Sequence, residues 1–210
     1  MSKQKRAILV QKILRDYFPS PSIPLRFSSN YTLLIAVILS AQCTDARVNE
    51  VSPLLFAKAS TPEQMITLSI NDIAEIIRPC GLFNSKAKSI HSLSQILIDT
   101  YKGEVPCDRE SLEKLPGVGR KTASVILSQA FHIPAFPVDT HIHRCAKRWG
   151  LSSGKSVLQT ERDLTNIFPP EDWNLLHLQM IYFARAFCTA KKHLSLQCPI
   201  CSKLTYTFDP

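Results

Sequence analysis

No apolar run in this 210-residue chain is long enough to span a bilayer; even the segment Tyr31 to Leu39 falls well short of the roughly 20 residues that a transmembrane helix needs. No secretion signal is expected either. The start, Met1 to Arg6, is basic, but Ala7-Ile8-Leu9-Val10 stops at Gln11-Lys12, too short for the apolar core of such a signal. Repeats, low-complexity tracts and strand-type alternation of apolar and polar residues are likewise absent, which argues against solenoids, biased tails and half-buried sheet. Acidic residues are outnumbered 17 to 25 by lysine and arginine, and the resulting charge of +8 suits a polyanionic partner without requiring one. The cysteines do not form an even, regular set: seven are scattered through the chain, which fits reduced thiols in a cytoplasmic protein better than a disulfide framework.

What is present is helical periodicity along nearly the whole chain. It predicts an amphipathic helix over Lys5 to Tyr17, ended by the proline-rich segment Phe18 to Pro24. Tyr31 to Leu39 is apolar on almost every face and is expected to lie buried among other helices. Further helices are expected over Asp45 to Ala59, Pro62 to Leu68, Asn71 to Arg78, Ser85 to Thr100, Thr140 to Arg148, Ser156 to Phe168 and Trp173 to Ala190. The expected class is all-α. Prolines at 19–24 and 134–137 divide the helices into groups, and two lobes are expected, one over about residues 24–133 and the other from the C-terminal part, with the first helix able to pack with either. A cleft between two basic lobes would suit a duplex.

The most informative segment is Leu115-Pro116-Gly117-Val118-Gly119-Arg120-Lys121. Asp108 can cap a short helix through Leu112 and Leu115, and a second helix reads from about Gly119 to Ala130. The glycines then form a hairpin within a helix-hairpin-helix over about 108–130. Glycine reaches positive backbone torsions and lets amides approach a ligand. Amides that open a helix favour phosphate, so the turn can clamp a nucleic-acid backbone without reading its sequence. The same turn also serves as an ordinary connector between helices. It is not the phosphate loop of nucleotide hydrolases, which needs a longer spacer than Val118 between its glycines.

Lys121 falls in the first turn of the second helix, where the positive end of the dipole and partial burial against Ile126 would favour the neutral amine of a nucleophile. The competing reading is a solvated lysine touching phosphate. Val138-Asp139-Thr140-His141 follows, with Pro137 holding Phe136 extended, Val138 buried and Asp139 at the start of the next helix. Asp139 caps that helix in the simplest reading. A carboxylate brought back beside Lys121 could also accept a proton or stabilise positive charge developing on a sugar, and the two roles are compatible. His143, Arg144, Lys147 and Arg148 line either a phosphate-facing or a solvated helix face.

Together these residues resemble, over nearly the whole chain, the endonuclease III family of bacterial DNA glycosylases and abasic-site lyases, within the helix-hairpin-helix superfamily. Leu115 to Ala123 matches the family's hairpin, Val138 to His141 its catalytic loop, and Leu39-Ser40-Ala41-Gln42 with Thr44-Asp45 its early helix junction. Gly81-Leu82-Phe83-Asn84-Ser85-Lys86-Ala87 is similar to its Gly-Leu-Tyr/Phe-Asn-x-Lys-Ala loop.

The resemblance implies a six-helix barrel lobe over 24–133, a second lobe made from the first and the C-terminal helices over 1–23 with 134–187, a cysteine-bearing tail over 188–210, and DNA in the cleft between the lobes. It implies a monomeric base-excision repair enzyme acting on double-stranded DNA, cytoplasmic and nucleoid-associated. An oxidised pyrimidine is flipped from the stack, which exposes a sugar carbon that stacking would hide. Lys121 attacks C1′, displaces the base and forms a Schiff base; Asp139 assists base loss and proton transfer, and β-elimination cuts the strand 3′ to the abasic sugar. Gln42 and Leu82 match the residues that fill the space left by the flipped nucleotide, against the plainer readings of a buried amide and a core leucine. Leu115, Gly117, Val118, Gly119 and Arg120 would hold the DNA backbone, with His141 a further backbone contact or a supporting residue. Two other functions compete: a non-catalytic helix-hairpin-helix module, which needs neither Lys121 nor Asp139, and an adenine-removing relative, which generally lacks the nucleophilic lysine.

The tail departs from the family pattern of cysteines that hold a [4Fe–4S] cluster. Nine residues separate Cys188 from Cys198, a lengthened first gap; Cys201 follows after two, and Thr207 stands in the place of the fourth cysteine. Such a cluster normally takes four thiolates. Three readings follow, in order of preference: a cluster-free remnant, a cluster completed by a non-cysteine ligand, and a zinc site using Cys188, His193, Cys198 and Cys201. Cys43, Cys80, Cys107 and Cys145 are expected to pack as small apolar residues.

Overall fold

The computed structural model describes residues 1–205. Their regular structure is helical throughout: α1 (Lys3–Tyr17), α2 (Asn30–Ser40), α3 (Asp45–Lys58), α4 (Pro62–Thr67), α5 (Ile70–Ile76), α6 (Phe83–Tyr101), α7 (Arg109–Lys114), α8 (Arg120–Ala130), α9 (Thr140–Arg148), α10 (Val157–Ile167), α11 (Trp173–Ala186) and α12 (Cys201–Thr205), with a 3₁₀ turn at Pro170–Asp172. No strand occurs among the described residues, so the class is all-α, as expected. No helix among them is long and apolar enough to cross a membrane.

Most helix starts are set by a side chain that binds a first-turn amide, one of the donors a helix cannot satisfy itself. Ser2, Thr44, Thr61, Asp108, Asp139 and Ser156 do this for α1, α3, α4, α7, α9 and α10. Ser29 with Thr32 and Ser69 with Asp72 form reciprocal capping boxes at α2 and α5. Such caps contribute about 0.5–2 kcal/mol each. Helices α6, α8 and α11 start without one, after Leu82, Gly119 and Asp172.

The chain divides into two compact units, one comprising Pro24–Ile133, the other Met1–Ile23 with the chain from Pro134 onward. In the Pro24–Ile133 unit, α2 is buried from Tyr31 through Leu39, with α3, α6 and α8 packed on it. The apolar residues around that helix explain the position: every face finds a partner. Its one phenol is satisfied, Tyr31 Oη lying 2.6 Å from Ser94 Oγ, and burial pushes the Tyr31 phenol above its usual range. The other unit is built on an aromatic cluster in which Phe183 meets Trp149, Tyr17 and Phe187 with ring centroids 5.7, 5.9 and 5.1 Å apart. Gln179 Nε2 and Tyr182 Oη donate to the carbonyls of Phe18 and Ser22 at 2.8 and 3.0 Å, which ties the proline-rich segment to α11.

Two expectations change. The last long helix stops at Ala186, four residues before the expected Ala190, because guanidinium groups on α9 draw the following carbonyls off the helix axis. Arg144 Nη2 reaches Cys188 O at 3.0 Å and Arg148 Nη1 reaches Thr189 O at 2.7 Å. Of the four scattered cysteines, Cys80 and Cys145 are interior, but Cys107 is exposed in the bend before α7 and Cys43 is half-buried.

Phe183→Ala is expected to lower unfolding stability by about 3–5 kcal/mol, the usual cost of emptying a buried aromatic site. Denaturant unfolding followed by circular dichroism measures it, and a loss under about 1 kcal/mol would show that the ring cluster does not hold this unit together.

Candidate functional site

The hairpin is clamped from both sides. Asp108 Oδ1 accepts from Ser111 N at 2.9 Å to start α7, and Arg109 Nη1 reaches across to Ser124 Oγ on α8 at 2.9 Å. Between the helices, Val118 N donates to Leu115 O at 3.0 Å around Gly117, whose φ of +78° favours glycine. A Cβ at 117 would also come within 2.9 Å of Ser89 Cβ, whereas one at Gly119 would meet nothing within 4 Å.

The Leu115 and Val118 side chains are buried and anchor the turn from below, and both amides are engaged within it, Leu115 N donating to Leu112 O at 3.1 Å and Val118 N to Leu115 O. Gly117, Gly119, Arg120 and Lys121 are exposed. The expected burial of Lys121 against Ile126 is not found: Ile126 is buried, Lys121 is not, and a separation of five residues turns about 140° round the helix axis.

Asp139 stands at the end of a buried approach, Ala135 to Val138, and its Oδ1 accepts from Ile142 N at 2.8 Å to cap α9. That cap uses one of a carboxylate's several lone-pair positions. His141 Nδ1 lies 3.3 Å from Arg144 Nη2. The basic face of α9 is neither solvated nor turned to a ligand as a whole. His143 Nδ1 is 2.8 Å from Thr160 Oγ1, and Arg144 and Arg148 bind main-chain carbonyls of the tail, leaving Lys147 exposed.

Gln42 and Leu82 come together. A Cβ on Gly81 would sit 3.2 Å from Gln42 O, so the two loops abut. Both residues are exposed and both are left-handed, at φ +53° and +59°. Neither plainer reading survives, because Leu82 is 58% exposed and Gln42 is not a buried amide. Beneath them, Lys86 is 5% exposed, and its Nζ donates to Leu39 O and Ala41 O at 2.9 and 2.7 Å. Burial pushes the Lys86 amine below its usual range. Sequence reading quoted Lys86 without giving it a role, although it shares the apolar stripe of α6 with Ile90, Leu93 and Leu97.

In the tail, Cys188, Cys198 and Cys201 are buried and His193 half-buried, and the four offer donor atoms that all lie within 4.8 Å of one another, a set able to hold a metal. Cys188 Sγ and Cys201 Sγ are 4.0 Å apart. Thr207 lies outside the described residues.

The chain's residues 35–170 match the model of the HhH-GPD superfamily of base excision DNA repair proteins. Endonuclease III of Bacillus subtilis (strain 168) is 45% identical over 188 residues, covering 89% of this chain and 86% of that protein. Endonuclease III of Escherichia coli (strain K12) is 44% identical over 192 residues, covering 91% and 90%. Among solved structures, a trapped endonuclease III–DNA covalent intermediate in an estranged-adenine complex superposes with a TM-score of 0.90 at 44% identity, over 95% of this chain and 94% of that one.

Gly117→Ala, strained in torsion and space, is expected to cost about 1–3 kcal/mol of stability. Gly119→Ala, with an ordinary torsion and open surroundings, is the matched control and should stay within about 0.5 kcal/mol. Equal melting shifts for the two would show that the hairpin does not require its first glycine.

Proposed function

This chain belongs to the endonuclease III family of the HhH-GPD superfamily of base excision DNA repair proteins, and from that membership we infer what its residues do. It is a bifunctional DNA glycosylase and abasic-site lyase of double-stranded DNA. The observation that carries the residue-level reading is a lysine in the first turn of a helix without a side-chain cap, in a chain so similar to one trapped as a covalent DNA intermediate.

The amides of Gly117 and Gly119 and the Arg120 side chain take a phosphate of the damaged strand, on a turn that Leu115 and Val118 hold in shape. His141 adds a backbone contact. Gln42 and Leu82 enter the duplex where the oxidised pyrimidine has left the stack; two exposed side chains held in strained torsions are pre-set for such insertion. Lys121 Nζ, as the neutral amine, attacks C1′ and the bond from C1′ to the base breaks. Asp139 stabilises the positive charge that develops on the sugar and moves the protons that let the sugar become a Schiff base on Lys121. Loss of a C2′ proton then expels the 3′ phosphate by β-elimination. The enzyme works as a monomer, one chain supplying both Lys121 and Asp139.

A binding module without chemistry is not favoured, since the relatives covered over most of their own length are endonuclease III. The [4Fe–4S] cluster that the family implies does not fit this chain. It takes four thiolates, and the tail offers three, with Thr207 at the fourth place and donors gathered within 4.8 Å. No step of the chemistry runs through it.

Borohydride trapping on duplex DNA containing thymine glycol or an abasic site tests the mechanism. The protein should form a covalent adduct that Lys121→Gln loses while retaining duplex binding. Asp139→Asn should slow base release by about 10²–10⁴-fold, the usual contribution of a positioned proton-transfer group. A parent protein that yields no adduct sinks the lysine nucleophile, and full-rate release by Asp139→Asn removes the carboxylate from the reaction.

A further inference from the structure

We propose that Cys188, His193, Cys198 and Cys201 form a closed site for a single zinc ion in place of the iron–sulfur cubane. The donor set of three thiolates and one imidazole is among those of structural zinc sites. The spacing fits one ion. Zinc–sulfur bonds of about 2.3 Å and zinc–nitrogen bonds of about 2.0–2.1 Å in a tetrahedron put donors about 3.5–3.8 Å apart. Cys188 Sγ and Cys201 Sγ already stand at 4.0 Å, and every donor of the four lies within 4.8 Å of the rest. A cubane would put each thiolate on a different iron and spread the sulfurs further.

His193 supplies an independent observation. Its Nε2 is buried and has no hydrogen-bond partner. A buried polar atom left so costs free energy, and an imidazole placed among three thiols finds its partner in a metal. The charge is balanced as well. Three thiolates and Zn²⁺ carry one net negative charge, and Arg148 Nη1 lies 3.5 Å from Cys188 Sγ.

The lengthened gap acquires a purpose on this reading. Nine residues between Cys188 and Cys198 give His193 a loop on which to turn back to the thiols. Cys198 and Cys201 lie on the turn that opens α12, with Ser202 N donating to Cys198 O at 3.0 Å. The ion would fasten this turn to the end of α11 and take no part in the reaction on DNA.

The full chain, produced with zinc and iron both supplied and purified anaerobically with a thiol reductant, should hold one zinc per chain with no acid-labile sulfide. Exchange into Co²⁺ should give the visible absorption of a tetrahedral thiolate-rich site. His193→Ala, folded by circular dichroism, should bind Co²⁺ at least 10-fold more weakly, and His193→Cys should restore tight binding with a shifted spectrum. Iron with stoichiometric sulfide, no retained zinc, or unchanged Co²⁺ affinity in His193→Ala would each overturn the proposal. These readouts are independent of borohydride trapping, so failure here leaves the Lys121 chemistry standing.

Discussion

Every α-helix begins with backbone amides that its own hydrogen bonds cannot reach, and the organisation of this chain follows from how each start meets that deficit. Where most scaffold helices begin, a neighbouring Ser, Thr or Asp supplies the acceptor, as Ser29, Thr44 and Asp108 do, although α11 continues from a 3₁₀ turn without a side-chain cap. Where Gly119 precedes α8 and Leu82 precedes α6, no side chain caps the helix. These are the starts that carry the proposed contacts with DNA. A capped amide is satisfied and electrostatically quiet; the start of α8, beside Gly117 and Lys121, presents the positive end of the helix dipole to an anion from outside. Asp139 occupies the middle case, a cap whose carboxylate retains capacity for a second partner.

The exposed pair Gln42 and Leu82 would not hold its shape unaided. Non-glycine residues in the left-handed region cost of order 1–3 kcal/mol each and persist only where the surroundings over-determine them. Lys86 is part of that restraint. Its ammonium binds the carbonyls of Leu39 and Ala41, at the C-terminal end of α2, where a positive charge also complements the helix dipole. The cation is costly to bury, as its depressed pKa indicates. A fully buried α2 gives it a rigid anchor, so the helix that organises its unit also fixes the loop that reaches outward.

Much of this was legible in the sequence. Helix existence and type followed from periodicity, and the start at Asp139 followed from the turn before it and the helix after it. The family's hairpin and catalytic loop stood out because glycine and proline report backbone geometry directly. What could not be read were side-chain destinations that depend on distant chain. Arg144 and Arg148 looked like a surface charge run, yet their partners are carbonyls about forty residues away. Lys121 was expected to be partly buried, a matter of helix phase that a motif does not carry. The early stop of α11 has the same origin, since nothing local in residues 187–190 announces guanidinium groups waiting on α9.

Helix α9 therefore does two jobs within one unit. Its first turn is fixed by Asp139 through Ile142 N, while its body holds the tail through Arg144 and Arg148. Arg144 joins the two ends, since its Nη1 donates to Thr140 O at 3.4 Å while its Nη2 reaches Cys188 O at 3.0 Å and lies 3.3 Å from His141 Nδ1. The cap depends on a bond three residues long in sequence, and the helix behind it is seated by Ile142, Cys145, Ala146 and Trp149 in the unit's core. A change in the tail therefore reaches the first turn of α9 through Arg144, which bonds Cys188 O on one side and Thr140 O on the other. On the proposed reading, a zinc ion that holds the tail also holds Arg144 in place, and so supports the turn that carries Asp139.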